Sequence, residues 1–357
     1  MSFLKEISSY QNVWQQIENA FSQGKFPQAL LLEGPAGVGK KFFAIKIAQL
    51  LGCTQADKPC GQCFHCKMWL DPGGVDGWIL PLVIDAADRE RENRIAEASE
   101  KILAELLANP YKLDSISPVG TIYVSQIRFL WKRLALKTEN RRVIVIPHAH
   151  AMNENAANAL LKNLEEVPPN THFILTTSQR SSLLPTIISR CIPLKVPSLE
   201  PAEITTILKN YGYEAPSTDL QGFAMGSAGK AMQYTAESLA EYLRLALDIL
   251  ELLAQQNYSQ LFRKVDAQVG RDAELALHSL EAMGVILQEL LRLRANVAPL
   301  LPEFSQFIAQ SALFKQMPPK LIYGLQEKLG ESNKLLQERK NPSSVLQNFA
   351  LCGVKYI

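Results

Sequence analysis

The chain has 357 residues, a length that predicts two or three domains. Hydrophobic residues make up 47% of it and charged residues 20%, and this balance excludes an intrinsically disordered chain. The formal net charge of +2 is too small for a dedicated nucleic-acid-binding protein, which normally has a clear basic excess.

The start of the chain, MSFLKEISSYQNVW, places Glu6 where the apolar part of a signal peptide would have to lie. We therefore expect no signal peptide and a cytoplasmic location. We also expect no membrane span, because no stretch of about 18 apolar residues occurs. Four of the six cysteines lie between positions 53 and 66, and in a cytoplasmic chain such a cluster favours metal binding over disulfides.

Apolar runs and helical spacing alternate along the first part of the chain. Residues 3–23 predict an amphipathic helix, and the apolar run at 29–32 predicts a buried strand that ends at Gly34. KKFFAIKIAQLLG then predicts a helix. Further on, RRVIVIPHAH and THFILTTS predict two buried strands, IPLKVP an extended piece, and NENAANALLKNLEEVPPN and SLLPTIISRC two helices. This alternation predicts a parallel α/β sheet.

Two further helices are predicted between the first two strands. Residues 85–109 are highly charged, and we interpret them as an inserted, solvated helix with a narrow apolar stripe of Ile95, Ile102, Leu103 and Leu106. TIYVSQIRFLWKRLAL predicts a short extended piece and then an amphipathic helix, with Ser125 as its N-cap.

From about residue 200 the pattern is helical throughout. PSLEPAEITTILKNYG and the stretch that follows predict a small helical domain, and from residue 238 onward one amphipathic face is marked by Tyr242, Leu245, Ile249 and Leu252. The predicted fold class is therefore α/β plus all-α, with three domains at residues 1–198, 199–237 and 238–357.

The stretch EGPAGVGKK at residues 33–41 matches most of a P-loop, G-x-x-x-x-G-K-[ST]. Gly34, Gly39 and Lys40 fall at the required positions, Gly37 adds a third glycine to the loop, and the predicted strand and helix lie on either side. Position 41 should carry a hydroxyl that holds Mg²⁺, but it is Lys41. The motif predicts descent from nucleotide-binding proteins and leaves open whether a nucleotide still binds.

The end of the strand in RRVIVIPHAH gives a second test of that chemistry. A working ATPase has an acidic residue there to hold the magnesium ion, commonly followed by a glutamate that serves as the base. Here Pro147 and His148 stand in its place. Because two separate magnesium-binding positions have lost their ligands, we predict that the chain does not hydrolyse ATP. We interpret His148 and His150 as ordinary loop histidines, since no third metal ligand follows nearby.

The cysteine-rich stretch CTQADKPCGQCFHC has two consecutive C-x-x-C spacings. Four thiolates in a tetrahedron suit Zn²⁺, and with no open coordination position the site would be structural. The predicted ligands are Cys53, Cys60, Cys63 and Cys66, with Cys53 the most distant in sequence and His65 a weaker alternative. Buried free thiols are the competing interpretation.

The tripeptide SRC, with Arg190 at its centre, follows the third strand and a short helix. An arginine at that edge could reach the nucleotide of a neighbouring subunit and stabilise phosphate charge there. It could equally be an exposed surface arginine, and position alone does not separate the two.

These pieces together resemble the clamp-loader branch of the AAA+ family. The resemblance covers roughly residues 5–235, and its most specific part runs from NALLKNLEE to LLPTIISRC. It implies an AAA+ P-loop sheet domain, a small helical lid domain and a C-terminal helical collar domain, whose last helix matches NPSSVLQNFAL. Motor subunits of the family would keep Ser or Thr after the P-loop lysine and an acidic strand end. This chain therefore resembles the non-hydrolysing stator subunit.

The resemblance also implies roles for particular residues and partners. Arg190 becomes a catalytic arginine finger acting in trans, and the four cysteines become the ligands of a structural Zn²⁺. GSAGKAMQ matches the sensor segment of the lid, where Lys230 replaces an arginine that touches nucleotide in active members. The implied partners are gamma or tau motor subunits and a delta subunit, in an assembly of DNA polymerase III that handles the sliding clamp and primed DNA.

Two rival functions remain open at this point. An active gamma/tau-type ATPase would need a magnesium ligand at position 41 or a carboxylate after Ile146, and the sequence has neither. A zinc-dependent nucleic-acid-binding module would need a basic, aromatic face around the cysteines, where only Lys58, Lys67, Phe64 and Trp69 are available.

Overall fold

A computed structural model of the protein describes residues 6–73, 77–113, 120–134, 141–311, 316–338 and 340–353. Residues 3–5 of the first predicted helix, and 135–136 at the end of the helix after residue 124, lie outside this description. The chain forms two compact units. One comprises Met1–Tyr213 and Gly226–Lys230, and the other comprises Glu214–Met225 and Ala231–Ile357. The division into three domains at residues 198 and 237 stays a prediction.

The first unit is built on a four-stranded parallel sheet, as the alternation of strands and helices predicts. Its strands, in chain order, are β1 (Ala29–Glu33), β2 (Arg142–Ile146), β3 (Thr171–Thr177) and β4 (Ile192–Lys195). In space the order is β2-β3-β1-β4. Leu31 of β1 pairs with Leu175 on one side and Pro193 on the other, so β1 is an interior strand and its apolar residues are buried.

Eight helices of this unit are described up to residue 213. They are α1 (Ser8–Ser22), α2 (Lys40–Gly52), α3 (Phe64–Met68), α4 (Glu92–Ala108), α5 (Val124–Leu134), α6 (Glu154–Glu165), α7 (Pro185–Ile188) and α8 (Pro201–Asn210). Short 3-10 turns occur at Ala86–Asp88, Ala149–Ala151 and Arg180–Ser182. The side chain of Asn153 accepts the Ala156 N–H and so caps α6, which ends three residues before Pro168.

The charged stretch forms a helix, α4, that begins at Glu92, several residues later than predicted. Three of the four residues of the predicted apolar stripe, Ile95, Leu103 and Leu106, are buried, and Ile102 is half-buried. The prediction that Ser125 caps the next helix is wrong. Helix α5 already begins at Val124, and buried Ser125 donates its hydroxyl to the carbonyl of Arg89 at 2.5 Å.

The second unit is helical, as predicted. Its elements are α9 (Thr218–Ala224), α11 (Ala236–Ala254), α12 (Tyr258–Gln268), α13 (Ala273–Arg294), α14 (Ser305–Gln310), α15 (Pro319–Gln337) and α16 (Pro342–Gly353), while α10 (Ala228–Ala231) begins in the first unit. Leu245 and Ile249 of the predicted apolar face of α11 are buried in one core with Met283 and Leu287 of α13. Among the residues described, no helix combines the length and apolar character needed to cross a membrane.

Candidate functional site

The P-loop joins β1 to α2, and its glycines are required by its geometry. Gly37 and Gly39 have φ of 73° and 93°, in the left-handed region that residues with a Cβ rarely adopt. A Cβ on Gly34 would lie 2.3 Å from the carbonyl oxygen of Val196. The backbone of this loop therefore requires glycine at all three positions.

Lys40 directs its ammonium group into its own loop. Its Nζ donates to the carbonyl of Gly34 at 2.8 Å and to that of Pro35 at 2.5 Å. Burial, with a smaller effect of the positive charge of Lys41, lowers the pKa of Lys40 to about 8. The cation that a nucleotide-binding loop would offer to phosphate is here bonded to main-chain oxygens.

Lys41, the residue that breaks the motif, reaches a different part of the chain. Its Nζ donates to the carbonyl of Lys112 at 2.8 Å. Lys112 belongs to the segment 109–113 that follows α4, so the inserted helix leads back to the P-loop. The residue in the place of a magnesium ligand thus contacts the segment that follows the inserted helix.

Two buried tyrosines cover the loop at the start of α2. The Tyr10 hydroxyl donates to the carbonyl of Val38 at 2.8 Å and lies 3.2 Å from the Tyr111 hydroxyl. The Tyr111 ring stacks on Phe42, with ring centroids 5.7 Å apart. A Cβ on Gly39 would come within 2.3 Å of the Tyr10 hydroxyl, which shows how closely this tyrosine is packed onto the loop. Burial raises the pKa of both phenols above their usual value.

The predicted sensor segment closes on the loop from another side. The Gly229 N–H donates to the carbonyl of Gly37 at 3.0 Å, and a Cβ on Gly37 would lie 2.3 Å from the Ser227 hydroxyl. A Cβ on Gly229 would lie 2.2 Å from the carbonyl oxygen of Tyr111. Lys230 lies in α10, and its N–H donates to the Ser227 hydroxyl at 3.0 Å. Helix α1, the segment 109–113 and the segment 226–230 therefore meet at one loop.

The carboxyl ends of β2 and β3 carry hydroxyl and imidazole groups. His148 adopts a left-handed backbone conformation just beyond β2, and its N–H donates to the Thr176 hydroxyl at 3.2 Å. The His150 Nδ1 lies 3.1 Å from the Thr177 hydroxyl. Glu33, at the end of β1, forms an ion pair with Arg180. The structure therefore places imidazoles, which cannot replace a carboxylate as a hard ligand of Mg²⁺, at the end of β2.

The four cysteines of the predicted metal site converge. The sulfur atoms of Cys53, Cys60, Cys63 and Cys66 all lie within 4.8 Å of one another, close enough to hold one metal ion. Backbone N–H groups of Cys63 and Gln62 point at the Cys60 sulfur, at 3.3 and 3.4 Å, and lower the pKa of that thiol to about 6. Sulfur ligands at this spacing fit a structural metal site.

The cysteine cluster is anchored to the P-loop helix. Cys53 lies at the end of α2, where its N–H donates to the Gln49 carbonyl at 2.9 Å. Buried Gln49 also donates its side-chain amide to the carbonyl of Cys66 at 2.8 Å. A metal ion at the cluster would therefore stabilise the C-terminal end of the helix whose N-terminus forms the P-loop.

Arg190 lies two residues after the end of α7, in the later part of the first unit's sequence. Its Nη2 donates to Glu165 at 2.5 Å and its Nη1 donates to the carbonyl of Thr186 at 3.0 Å. The side chain is 33% exposed. Within the part of the chain that the structure describes, Arg190 bonds to Glu165 and Thr186 and not to the P-loop.

Sequence reasoning missed the residues that cover the P-loop. Tyr10 and Tyr111 are separated by 101 positions, and no motif links them. The one available indication is that the charged insertion is followed directly by NPYK, the segment that contains Tyr111. Only the folded chain shows that Lys41 and Tyr111 belong to the same site.

A parallel sheet with a P-loop between its first strand and the following helix defines a P-loop protein. The chain belongs to the family described as DNA polymerase III, delta subunit, whose sequence pattern matches residues 9–200.

Related proteins carry clamp-loader names of more than one kind. The chain is 28% identical over 312 residues to DNA polymerase III subunit gamma of Buchnera aphidicola subsp. Acyrthosiphon pisum, covering 81% of this chain and 74% of that protein. It is 30% identical over 184 residues to subunit delta' of Haemophilus influenzae, covering 50% of this chain and 45% of that protein. It is 31% identical over 189 residues to subunit delta' of Pseudomonas aeruginosa, covering 52% and 47%. The chain thus spans about half the length of these delta' relatives, and identity alone does not separate gamma from delta'.

Proposed function

We propose that this chain is the delta' (delta-prime) subunit of a DNA polymerase III clamp loader. In this role it does not hydrolyse ATP. It is a rigid member of the ring and a non-catalytic part of the polymerase holoenzyme that helps to load the sliding clamp onto primed DNA. Gamma or tau motor subunits and a delta subunit are its direct partners, in the cytoplasm, and the clamp and primed DNA are partners of the whole assembly.

The observation that carries this proposal is that the side chains of the P-loop bond to main-chain groups of the same chain. Lys40 is bonded to the carbonyls of Gly34 and Pro35, and Tyr10 packs against the start of α2. Lys41 is bonded to Lys112, in the segment 109–113. Each of these bonds joins the loop region to atoms of its own chain, and the end of β2 carries Pro147 and His148 in place of a carboxylate. These features support a subunit that keeps the P-loop fold as architecture rather than as an ATPase site.

Arg190 supplies the proposed chemistry for a neighbour. A guanidinium can stabilise the charge that develops on a transferring phosphoryl group, and fingers of this kind account for large rate effects when supplied in trans. The exposure of Arg190, on the edge that follows the third strand, supports this role. Catalysis in the neighbouring motor would then depend on a residue outside that motor.

The cysteine cluster is proposed to hold one structural Zn²⁺. Four sulfur ligands match the preference of zinc, and four protein ligands leave no position for a substrate. The cluster's anchoring to α2 supports a role in stability.

The test is a reconstituted loader assembled from this chain with gamma and delta subunits. Replacing Arg190 with alanine should lower its ATPase rate by at least about tenfold without preventing assembly. Arg128→Ala, which removes an exposed arginine on α5, is the matched control and should leave the rate unchanged. An unchanged rate with Arg190→Ala would remove the arginine finger from this proposal.

The alternative is an active gamma/tau-type motor. The 28% identity to a gamma subunit favours this second candidate. It predicts that the isolated chain hydrolyses ATP and loses this activity on Lys40→Ala. Our proposal predicts no ATP turnover above background for either the isolated wild-type chain or its Lys40→Ala variant.

A further inference from the structure

The arginine assigned above as a trans-acting finger is held by two acceptors of its own chain. Its Nη2 donates to the carboxylate of Glu165 at 2.5 Å, and its Nη1 donates to the carbonyl of Thr186 at 3.0 Å. Glu165 is the last residue of α6, and Thr186 belongs to α7. The two terminal nitrogens are thus bonded to two different helices.

Both acceptors are attached to the core of the first unit. Leu164, which precedes Glu165, and Cys191, which follows Arg190, are buried in the same apolar cluster. Ile187, which follows Thr186, is fully buried in that cluster as well. Because the backbone on either side is fixed by packing, the acceptors define one orientation for the guanidinium.

The remaining donors suit a second ligand. A guanidinium has five N–H groups in a planar fork. The two described bonds use two of them, which leaves three for the oxygens of a phosphate group. Arg190 and Glu165 are 33% and 49% exposed, so a ligand on another molecule can approach the pair.

We propose that Glu165 is a positioning residue for the arginine finger: its carboxylate holds Arg190 in the orientation that meets a neighbouring subunit's nucleoside triphosphate. This inference rests on the proposed function. An arginine side chain loses conformational entropy when it is immobilised. Because the ion pair with Glu165 already restricts the rotamers of Arg190, less entropy is lost when the neighbour's phosphate binds. An exposed ion pair is weak, so it biases the side chain without competing strongly with a triphosphate.

The experiment measures steady-state ATP hydrolysis by the reconstituted loader. Glu165→Ala should lower kcat by about two- to fivefold and leave KM for ATP unchanged, since an exposed ion pair corresponds to rate factors of about that size. The matched control is Glu166→Ala, which removes the adjacent exposed carboxylate and should change nothing. In an Arg190→Ala background, Glu165→Ala should cause no further loss, because a positioning residue acts only through the group that it positions.

Several results would overturn the inference. An unchanged kcat would show that Arg190 needs no help from Glu165, and an increased kcat would show that the carboxylate competes with phosphate. A further loss in the Arg190→Ala background would assign Glu165 a structural role instead. If Glu165→Ala fails to assemble, Glu165→Gln, which keeps the size and one acceptor oxygen, is measured in its place, with a smaller decrease expected. If Arg190→Ala itself has no effect, the arginine finger fails and this inference fails with it, whereas a loss with Arg190→Ala and none with Glu165→Ala contradicts this inference alone.

Discussion

The hydroxyl of Tyr10 donates a hydrogen bond to the main-chain carbonyl of Val38 at 2.8 Å, within the P-loop itself. A side chain of α1 thereby stabilises the loop that, in nucleotide-binding proteins, holds the phosphate groups. Tyr111, in the segment 109–113, completes the contact, since its hydroxyl lies 3.2 Å from that of Tyr10. The P-loop therefore packs against two buried phenols.

Removing the Tyr10 hydroxyl should destabilise the protein. Tyr10→Phe leaves the buried carbonyl of Val38 without this donor, so we expect the free energy of unfolding to fall by about 1–2 kcal/mol. Urea denaturation followed by circular dichroism measures the change. Tyr213→Phe, at a 39% exposed position, is the control and should have little effect. Equal stabilities of Tyr10→Phe and the wild type would show that the contact contributes nothing.

Restoring the P-loop motif should not restore hydrolysis. Lys41→Thr rebuilds the sequence G-x-x-x-x-G-K-T, but Pro147 and His148 still occupy the end of β2 and Tyr10 still packs against the start of α2. We therefore expect no ATP turnover above background from the isolated variant, because the end of β2 provides no carboxylate to hold Mg²⁺. A coupled phosphate-release assay measures this, with Lys41→Thr/Lys40→Ala as the blank. Turnover by Lys41→Thr that the blank lacks would show that position 41 alone silenced the site.

The sheet of the first unit could be predicted from the sequence because local patterns determine it. Leu30, Leu31 and Leu32 form an apolar run that ends in a glycine turn, and such a run is typical of an interior parallel strand. The cysteine cluster could be predicted for a similar reason, since two C-x-x-C spacings bring thiols together over a short stretch.

The contacts that cover the P-loop could not be predicted, because they join distant parts of the chain. Nothing local to Lys112 indicates that its carbonyl accepts a bond from Lys41, 71 positions away. The N-cap assigned to Ser125 failed for the same reason: the hydroxyl finds an acceptor 36 positions away, at Arg89, instead of the N–H groups of its own helix. Such tertiary contacts override a local preference.

Metal removal should destabilise the first unit. The protein should contain one Zn²⁺ per chain, and Cys63→Ser should lower this zinc content. The variant's free energy of unfolding should fall by at least about 2 kcal/mol, because bound metal stabilises the folded state that presents its ligands. Atomic absorption and thermal unfolding with and without a chelator measure the two effects. Cys352→Ser, which alters a half-buried cysteine in α16 outside the cluster, should change neither. Full stability in the metal-free protein would argue for free thiols.

The attachment of α1 to α8 should make stability depend on pH in the acid range. The Glu203 carboxylate accepts bonds from the Ser8 hydroxyl at 2.7 Å, from the Ser9 N–H at 2.8 Å and from the Ser9 hydroxyl at 2.6 Å. Burial alone would raise its pKa, but these bonds, with one from the Glu200 N–H, outweigh burial and lower the pKa below its usual value. A carboxylate with a depressed pKa stabilises the folded state at pH values above its unfolded pKa, and this contribution is lost as the pH falls through the folded pKa.

We therefore expect Glu203→Gln to be less stable than the wild type at neutral pH, by about 1–3 kcal/mol, since a buried charged acceptor loses its charge-assisted bonds. The difference should begin to shrink as the pH falls below the usual pKa of a glutamate, where the unfolded wild-type chain takes up the proton. It should be lost once the pH falls through the lower pKa of the folded state, where the folded carboxylate becomes neutral too. Urea unfolding at a series of pH values from neutral to acid measures both quantities. Glu214→Gln, at an exposed position, should track the wild type at every pH. A stability difference that stays constant across the acid range would mean that Glu203 acts through its shape rather than its charge.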